Sequence, residues 1–151
     1  MNDAGHMSDG KRNETQLVCD VLGIESLVDE ITYTLATQAE DAPTASAILG
    51  PFWRKDAPLR EMGDSIVMNE IPDGDHTLMS GQVLDFTTGK PIADAELDIW
   101  HTAPNGLYEQ QDPEQPDMNL RGRYVTGPDG SYAIRCLRPT SYPIPVCAFC
   151  D

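Results

Sequence analysis

Short segments in which polar and apolar residues alternate, separated by turns rich in glycine and proline, constrain the fold more than any other feature of this sequence. The predicted strands are residues 77–86, 95–101, 123–126 and 131–137. Turns are predicted at Thr88-Gly89-Lys90-Pro91 and at Gly127-Pro128-Asp129-Gly130, and the second is a strong hairpin signal. Strands this short, with turns at this spacing, predict a mainly β protein built as an antiparallel β-sandwich.

The segment before Pro43 has helical spacing instead. Residues 11–22 predict one helix that ends at Gly23, and Ser26 is a plausible N-cap for a second. The apolar positions that define these two helices are Leu17, Val18, Val21, Leu22, Leu27, Val28, Ile31 and Leu35. Residues 1–10 are small and polar and predict no regular structure. Two short helices cannot bury such stripes by themselves, so they must pack on something else.

Residues 44–59 follow neither period and contain Gly50-Pro51 followed by Phe52 and Trp53. Two interpretations remain open from composition. The segment is either a linker that tucks two aromatic side chains into the core, or a loop that gives a cleft an apolar wall.

Charge excludes some classes of partner. The chain has 151 residues, with 25 acidic against 10 basic side chains and a formal net charge of −15. Binding to nucleic acid or to anionic lipid needs clustered Lys and Arg, so neither is expected. No apolar run approaches the ~20 residues of a membrane span, and the polar N-terminal residues lack the features of a signal peptide. Both observations predict a cytoplasmic protein. Nine acids and one base, Lys90, lie between Glu61 and Asp98, and they predict a solvated face.

The cysteines and histidines do not define a site on their own. Cys19 and Cys136 lie among apolar neighbours and are predicted to be buried thiols. Cys147 and Cys150 resemble half of a zinc or redox motif, but they lack the second pair of ligands that zinc needs. His6, His76 and His101 are scattered, and none is paired with another at ligand spacing.

Specific strings carry a resemblance beyond these patterns. In order along the chain they are Leu49-Gly50-Pro51-Phe52, Ser80-Gly81-Gln82-Val83-Leu84-Asp85, Gly89-Lys90-Pro91-Ile92, Asp98-Ile99-Trp100-His101, Gly106-Leu107-Tyr108, Asn119-Leu120-Arg121-Gly122, Asp129-Gly130-Ser131-Tyr132 and Tyr142-Pro143-Ile144-Pro145. From about Met7 to Pro145 the sequence resembles the intradiol ring-cleaving dioxygenases, most of all the fungal catechol and hydroxyquinol 1,2-dioxygenases.

The resemblance implies a non-haem Fe(III) site with two tyrosine and two histidine ligands. Tyr108 matches the tyrosine that stays bound, and Tyr142 matches the one that leaves when the substrate docks and can accept a substrate proton. Ile48, Pro51 and Phe52 match the segment that walls the aromatic ring. The implied reaction inserts O2 between the two hydroxyl-bearing carbons of a small aromatic diol. Fe(III) is hard and prefers anionic oxygen, which fits two tyrosinates.

The resemblance also divides the chain. It implies a partial helical dimerisation region at residues 1–42, a connecting and pocket-wall segment at 43–76, a partial catalytic β-sandwich at 77–145 and a non-family tail at 146–151. The family continues with an Arg-x-x-Arg-Pro-Ala-His-x-His strand, whose two histidines are absent from these residues. We therefore expect a chain truncated at both ends relative to the family, without iron-tyrosinate colour or activity alone.

Two alternatives from other classes stay open. The pattern Gly81-x-Val83, Gly89-Lys90-Pro91-Ile92 and Ala95 also resembles transthyretin-like sandwich modules, which act as binding modules or spacers and not as enzymes. The chain could instead be an inactive partner that caps an intact dioxygenase through the helices of residues 16–35.

Overall fold

The computed structural model describes residues 2–10, 13–33, 43–44, 46–69 and 71–142, and the chain divides into two compact units, Met1–Lys55 and Asp56–Asp151. The first unit contains the helices α1 (Asn2–Met7), α2 (Glu14–Val21) and α3 (Ile24–Tyr33). The second contains the strands β1 (His76–Gln82), β2 (Glu96–Trp100), β3 (Arg121–Val125) and β4 (Ser131–Leu137). The predicted order of short helices followed by antiparallel strands is confirmed.

Local hydrogen bonds explain where α2 begins and ends. The Asn13 side chain accepts a hydrogen bond from the Gln16 N–H at 3.0 Å, which satisfies one of the unpaired donors of the first turn. Gly23 has a φ of 69°, in the left-handed region, and its N–H donates to the Asp20 carbonyl at 2.9 Å. The predicted glycine cap is therefore confirmed.

Two helix predictions were wrong. Ser26 lies inside α3, because that helix already begins at Ile24 and the Gly23 carbonyl accepts the Leu27 N–H at 3.0 Å. The glycine that ends α2 thus also starts α3, and no separate cap is needed. Residues 2–7 form α1 instead of an irregular start. The predicted positions Lys11 and Leu35 lie outside the described residues, and no described helix has the length and apolar character needed to cross a membrane.

The four strands form two antiparallel pairs. In one sheet β1 pairs with β4, and the register runs from His76 opposite Leu137 to Gln82 opposite Ser131. In the other β2 pairs with β3, from Glu96 opposite Val125 to Trp100 opposite Arg121. The strand predictions for residues 77–86 and 123–126 were displaced by a few residues, since β1 ends at Gln82 and β3 begins at Arg121.

The predicted hairpin at residues 127–130 was also wrong. A tight turn does form there, because the Gly130 N–H donates to the Gly127 carbonyl at 2.8 Å. However, β3 and β4 belong to different sheets, so the turn carries the chain from one layer to the other. Gly130 has a φ of 73°, and a Cβ there would lie 2.5 Å from the Val83 carbonyl oxygen, so only glycine fits this crossing.

The segment Pro58 to Ile66, which contains a turn at Glu61–Asp64, connects the two sheets along their other edges. Near its start, the Arg60 N–H donates to the Arg123 carbonyl of β3 at 2.8 Å. Near its end, the Ile66 N–H donates to the Arg135 carbonyl of β4 at 3.0 Å. One segment thus pairs with a strand of each sheet, both times in parallel.

Apolar side chains from both sheets meet in one cluster. Its fully buried members are Ile66, Tyr124, Ile134 and Cys136, and Met79, Leu97, Ile99 and Tyr132 pack against them. A second cluster of Ala103, Leu120 and Leu137, with Val67 and Ile71, lies where the long loop after β2 begins and ends. The core therefore supports both the sandwich and the base of that loop. Cys136 is a buried free thiol, as predicted, whereas Cys19 is only half-buried, so that prediction was wrong for Cys19.

Candidate metal and substrate site

The loop between β2 and β3, residues 101–120, presents the first predicted site residue. It opens with a tight turn in which the Ala103 N–H donates to the Leu107 carbonyl at 2.9 Å. Tyr108 follows directly, and its own N–H donates to the Gln111 side chain at 3.1 Å. Tyr108 is only 7% exposed, so the loop holds its ring against the protein.

Tyr142 lies beside Tyr108. The two phenolic oxygens are 3.2 Å apart and share a hydrogen bond, and the rings meet edge to face with centroids 5.6 Å apart. A Cβ on Gly106 would lie 3.3 Å from the Tyr142 Cβ, so a glycine at this position leaves room for the second tyrosine. Tyr142 is 41% exposed, in contrast to its neighbour. The structure thus brings together the two tyrosines that the sequence predicted as ligands.

Burial raises the pKa of the Tyr108 phenol well above its ordinary value, the hydrogen bond to Tyr142 adds to that rise, and the nearby Arg121 charge opposes it. A phenol in this setting is neutral at pH 7 unless a cation replaces its proton. Two phenolic oxygens at 3.2 Å can both contact one cation, and oxygen donors suit a hard metal ion. The pair therefore fits a trivalent iron.

Arg121 is a buried residue that lies next to the Tyr108 ring. It is 1% exposed, and its Nε donates to Glu109 Oε1 at 2.8 Å while its Nη2 donates to Gln110 Oε1 at 2.6 Å. Its guanidinium carbon lies 5.9 Å from the centroid of the Tyr108 ring. Sequence reasoning gave Arg121, Glu109 and Gln110 no role. The string that contains Arg121 marked the family, but nothing in it tells a buried arginine from an exposed one such as Arg138.

Among the histidines that the structure describes, His101 has a buried ring nitrogen without a hydrogen-bond partner. Its Nδ1–H donates to the Thr102 carbonyl at 2.8 Å, whereas the buried Nε2 has no partner among the described residues. Burial lowers the pKa of this imidazole, opposed by the Thr102 carbonyl. Within the part of the chain that the structure describes, no three His, Cys, Asp or Glu side chains are placed to hold a metal ion. Of the acidic side chains predicted to form a solvated face, Glu61, Asp64, Asp73 and Asp75 are exposed, and Glu70 lies outside the described residues.

The predicted substrate-wall residues belong to the first unit. Ile48 is half-buried and lines a cavity of about 570 Å³ with Cys19, Ile24, Val28 and other residues of that unit. Pro51 and Phe52 are half-buried at a turn a few residues later.

A second cavity of about 270 Å³ lies against the loop of residues 101–120, and Asn105, Asp112 and Gln115 are among its lining residues. Neither tyrosine lines it. Asp112 accepts hydrogen bonds from Asn105 and Gln115, which lower the pKa of its carboxyl.

Comparison with known proteins defines the class of this chain. A family model described as "Dioxygenase" matches residues 48–151, and one described as "Catechol dioxygenase N terminus" matches residues 1–40. The chain belongs to the intradiol ring-cleaving dioxygenase family. These matches also decide between the two resemblances, in favour of the dioxygenases and against a transthyretin-like module.

Individual relatives sharpen the assignment. The chain is 46% identical over 145 residues to an intradiol ring-cleavage dioxygenase of Aspergillus niger, covering 96% of this chain and 46% of that protein. It is 46% identical over 147 residues to a catechol 1,2-dioxygenase of Candida albicans, with coverage of 96% and 47%. It therefore spans about half the length of the curated relatives it matches.

Solved structures agree with the fold. A hydroxyquinol 1,2-dioxygenase from Pseudomonas putida superposes with a TM-score of 0.75 at 41% identity, covering 95% of this chain and 48% of that one. A catechol 1,2-dioxygenase from Acinetobacter radioresistens gives a TM-score of 0.79 at 28% identity, covering 95% and 45%. The β-sandwich prediction is confirmed.

Proposed function

We propose that the protein to which this sequence belongs cleaves catechol or hydroxyquinol between the two hydroxyl-bearing carbons, with O2, at a non-haem Fe(III) site. The observation that carries this proposal is the pair of phenolic oxygens of Tyr108 and Tyr142, 3.2 Å apart in a chain of this family. When bound, Fe(III) would supply the Lewis acidity that lets phenols and diols lose protons near neutral pH.

The two tyrosines differ in burial, and this difference supports different roles. Tyr108 is 7% exposed and held on a hydrogen-bonded loop, which suits a ligand that remains in place. Tyr142 is 41% exposed, which suits a ligand that swings away and accepts a proton from the incoming diol at its phenolic oxygen. Tyr142 is therefore the proposed catalytic residue.

The remaining site components come from the resemblance. Ile48, Pro51 and Phe52 would contact the apolar ring of the diol. Two further histidine ligands are expected from a His-x-His strand that residues 1–151 do not contain. We expect iron affinity to depend on them, because two phenolates alone fill a minority of the coordination positions.

The helical unit supports a proposed homodimer. Exposed apolar side chains follow one another along α2 and α3, and burying them against a second copy would remove apolar area from water. They are Val21, Leu22, Ile24, Leu27, Val28 and Ile31. Sedimentation equilibrium of the chain should show a dimer that Leu27→Lys dissociates, whereas a monomer at all concentrations would contradict it. We also propose a cytoplasmic location, which suits the free thiols of Cys19 and Cys136.

The proposed activity is tested in a chimera that joins residues 1–145 to the C-terminal half of the Aspergillus niger relative. After loading with Fe(III), the chimera should show a tyrosinate-to-iron absorption band and should take up O2 with catechol or hydroxyquinol. The 151-residue chain alone should show neither. Tyr108→Phe should abolish the band, and Tyr142→Phe should weaken it and slow turnover.

Tyr132→Phe is the matched control, because Tyr132 lies in β4 and packs against the core cluster. It should leave the band and turnover close to those of the unmodified chimera. Unchanged band intensity in both Tyr108→Phe and Tyr142→Phe would refute the ligand assignment.

A further inference from the structure

A buried arginine lies behind the proposed ligand Tyr108, and the proposed chemistry gives it no task. Arg121 is the first residue of β3 and is 1% exposed. Its paired Glu109 side chain is also 1% exposed. Burying both partners of an ion pair costs several kcal/mol of hydration per ion, so such a pair is a poor way to gain stability alone.

The contacts of Arg121 are directed at one short stretch of the loop. The guanidinium donates through Nε to Glu109 at 2.8 Å and through Nη2 to Gln110 at 2.6 Å. These are the two residues that follow Tyr108 in the chain. Both bonds are therefore anchored next to the Tyr108 backbone, and the planar fork of an arginine can make them together where a lysine cannot.

The same guanidinium lies near the Tyr108 ring itself, with 5.9 Å between its central carbon and the ring centroid. At this distance a cation is attracted to the electron-rich face of an aromatic ring. A fixed positive charge there also favours negative charge on the phenolic oxygen.

The backbone that leads into Arg121 is strained. Met118 and Leu120 have φ values of 63° and 58°, a left-handed conformation that L side chains rarely adopt. Asn119 between them is 1% exposed, and its side chain accepts the Met68 N–H at 2.9 Å. Two strained residues held by a buried amide fix the position from which the Arg121 side chain departs.

We propose that Arg121 is the positioning residue for Tyr108: held by Glu109 and Gln110, it sets the orientation of the Tyr108 ring and places a permanent positive charge beside it. This inference rests on the proposed ligand role of Tyr108. On this proposal, the buried ion pair of Arg121 and Glu109 serves to orient Tyr108, in addition to any contribution to the stability of the loop.

The first test uses the metal-free 151-residue chain, with 13C-labelled tyrosine rings observed by NMR and Tyr108 assigned from Tyr108→Phe. Arg121→Lys keeps the charge, so Glu109 is not left unpaired, but it loses the bond to Gln110. We expect a shifted Tyr108 ring resonance and ring flips faster on the order of tenfold. The Tyr124 resonance, from the core, should not move.

A second variant combines Glu109→Gln with Arg121→Met, which removes both charges together. The Tyr108 resonance should move further than in Arg121→Lys, because the positive charge beside the ring is gone. If this variant does not fold, Arg121→Lys decides alone, since its charge balance is native. Arg123→Lys is the matched control, because Arg123 lies on the same strand with a surface ion pair to Glu96 at 3.6 Å.

A purely structural role gives a different result. In that case Arg121→Lys would lower the urea midpoint and leave the Tyr108 resonance where it was, which would overturn the proposal. In the iron-loaded chimera, Arg121→Lys should shift the tyrosinate absorption band while Arg123→Lys does not. A chimera without any band would refute the proposed function, whereas the metal-free NMR result would still decide the role of Arg121.

Discussion

The two units of this chain differ in how far their apolar side chains are buried. In the helical unit, Ile31 is 70% exposed and Leu22 is 66% exposed. In the β unit, Ile66, Tyr124 and Ile134 are completely buried. Among the described residues, every fully buried apolar side chain lies between Ala57 and Leu137. The helices are therefore specified by near neighbours in the sequence, and the β unit by contacts between distant residues.

This contrast has an energetic meaning. Helices of 6 to 10 residues are marginal in water when nothing packs on them, so the first unit depends on its caps and on whatever covers its apolar side chains. The second unit gains stability from a shared core, and a change at one core position should affect both of its sheets.

A matched pair of truncations gives the largest expected difference. Ile134→Ala should lower the free energy of unfolding of the β unit by about 2 to 5 kcal/mol, because it leaves a cavity in the core. Ile31→Ala should change it by less than about 0.5 kcal/mol. Urea unfolding followed by Trp100 fluorescence in a Trp53→Phe background measures the β unit. Equal effects of the two truncations would break the comparison, and a concentration-dependent effect of Ile31→Ala would support the homodimer.

Gly23 and Gly130 both have a positive φ, but only Gly130 is closely packed. Substituting each by alanine therefore separates the cost of backbone strain from the cost of a steric clash. Gly130→Ala should cost about 2 kcal/mol or more, because strain at φ 73° is joined by a contact of 2.5 Å with the Val83 carbonyl. Gly23→Ala should cost about 1 kcal/mol, because a Cβ there meets no atom within 4 Å. Thermal unfolding and helix content by circular dichroism measure the two. A Gly130→Ala cost no larger than that of Gly23→Ala would show that the turn can yield.

The helical unit should respond to its cap. Asn13→Ala removes the acceptor for the Gln16 N–H and should destabilise α2 by about 1 kcal/mol. Helix content, measured from the far-ultraviolet circular dichroism of the chain, should fall. Asn13→Ser keeps a side-chain acceptor and should retain most of that signal. A loss of helix as large with serine as with alanine would mean that the cap does not set the start of α2.

The smallest expected effect is a pH dependence from His101. Burial lowers the pKa of the folded imidazole below its value in the unfolded chain, so folding disfavours the proton. The stability gained is present above the unfolded pKa and is lost as the pH falls through the interval down to the folded pKa. His101→Gln should flatten the fall of the urea midpoint as the pH drops below the ordinary histidine pKa of 6.5, whereas His76→Gln, at an exposed position, should not. An identical slope in both variants would contradict this account.

The sequence predicted what depends on local pattern. Alternation placed the strands to within a few residues, and Gly23 marked the end of α2. It could not show that the turn at residues 127–130 joins two different sheets, because the choice of partner depends on contacts that are distant in the chain. Ser26 was misplaced for a related reason, since a single glycine can end one helix and start the next.

The candidate site was predictable in part. Family strings pointed to Tyr108 and Tyr142, and their contact is a property of the fold. The position of Arg121 behind Tyr108 was not predictable from the sequence. Its partners Glu109 and Gln110 lie in the middle of the loop that precedes it, and Arg121 is buried only because the sandwich packs around it. Charge in a sequence says little about whether that charge is hydrated.

The segment from Pro58 to Ile66 has a consequence for how the β unit folds. It bonds to β3 and β4 across long stretches of chain, with a sequence separation of 60 positions between Asp64 and Tyr124 and of 71 between Met62 and Ala133. Closing loops of that length is entropically slow, and β proteins dominated by such contacts fold in milliseconds to seconds. Strands β2 and β3 are close in sequence and can pair early, but the two sheets become one layered unit only when this segment has docked. Docking of residues 58–66 is therefore expected to be a late, rate-limiting event, and a site whose ligand loop depends on the joined sheets would mature last.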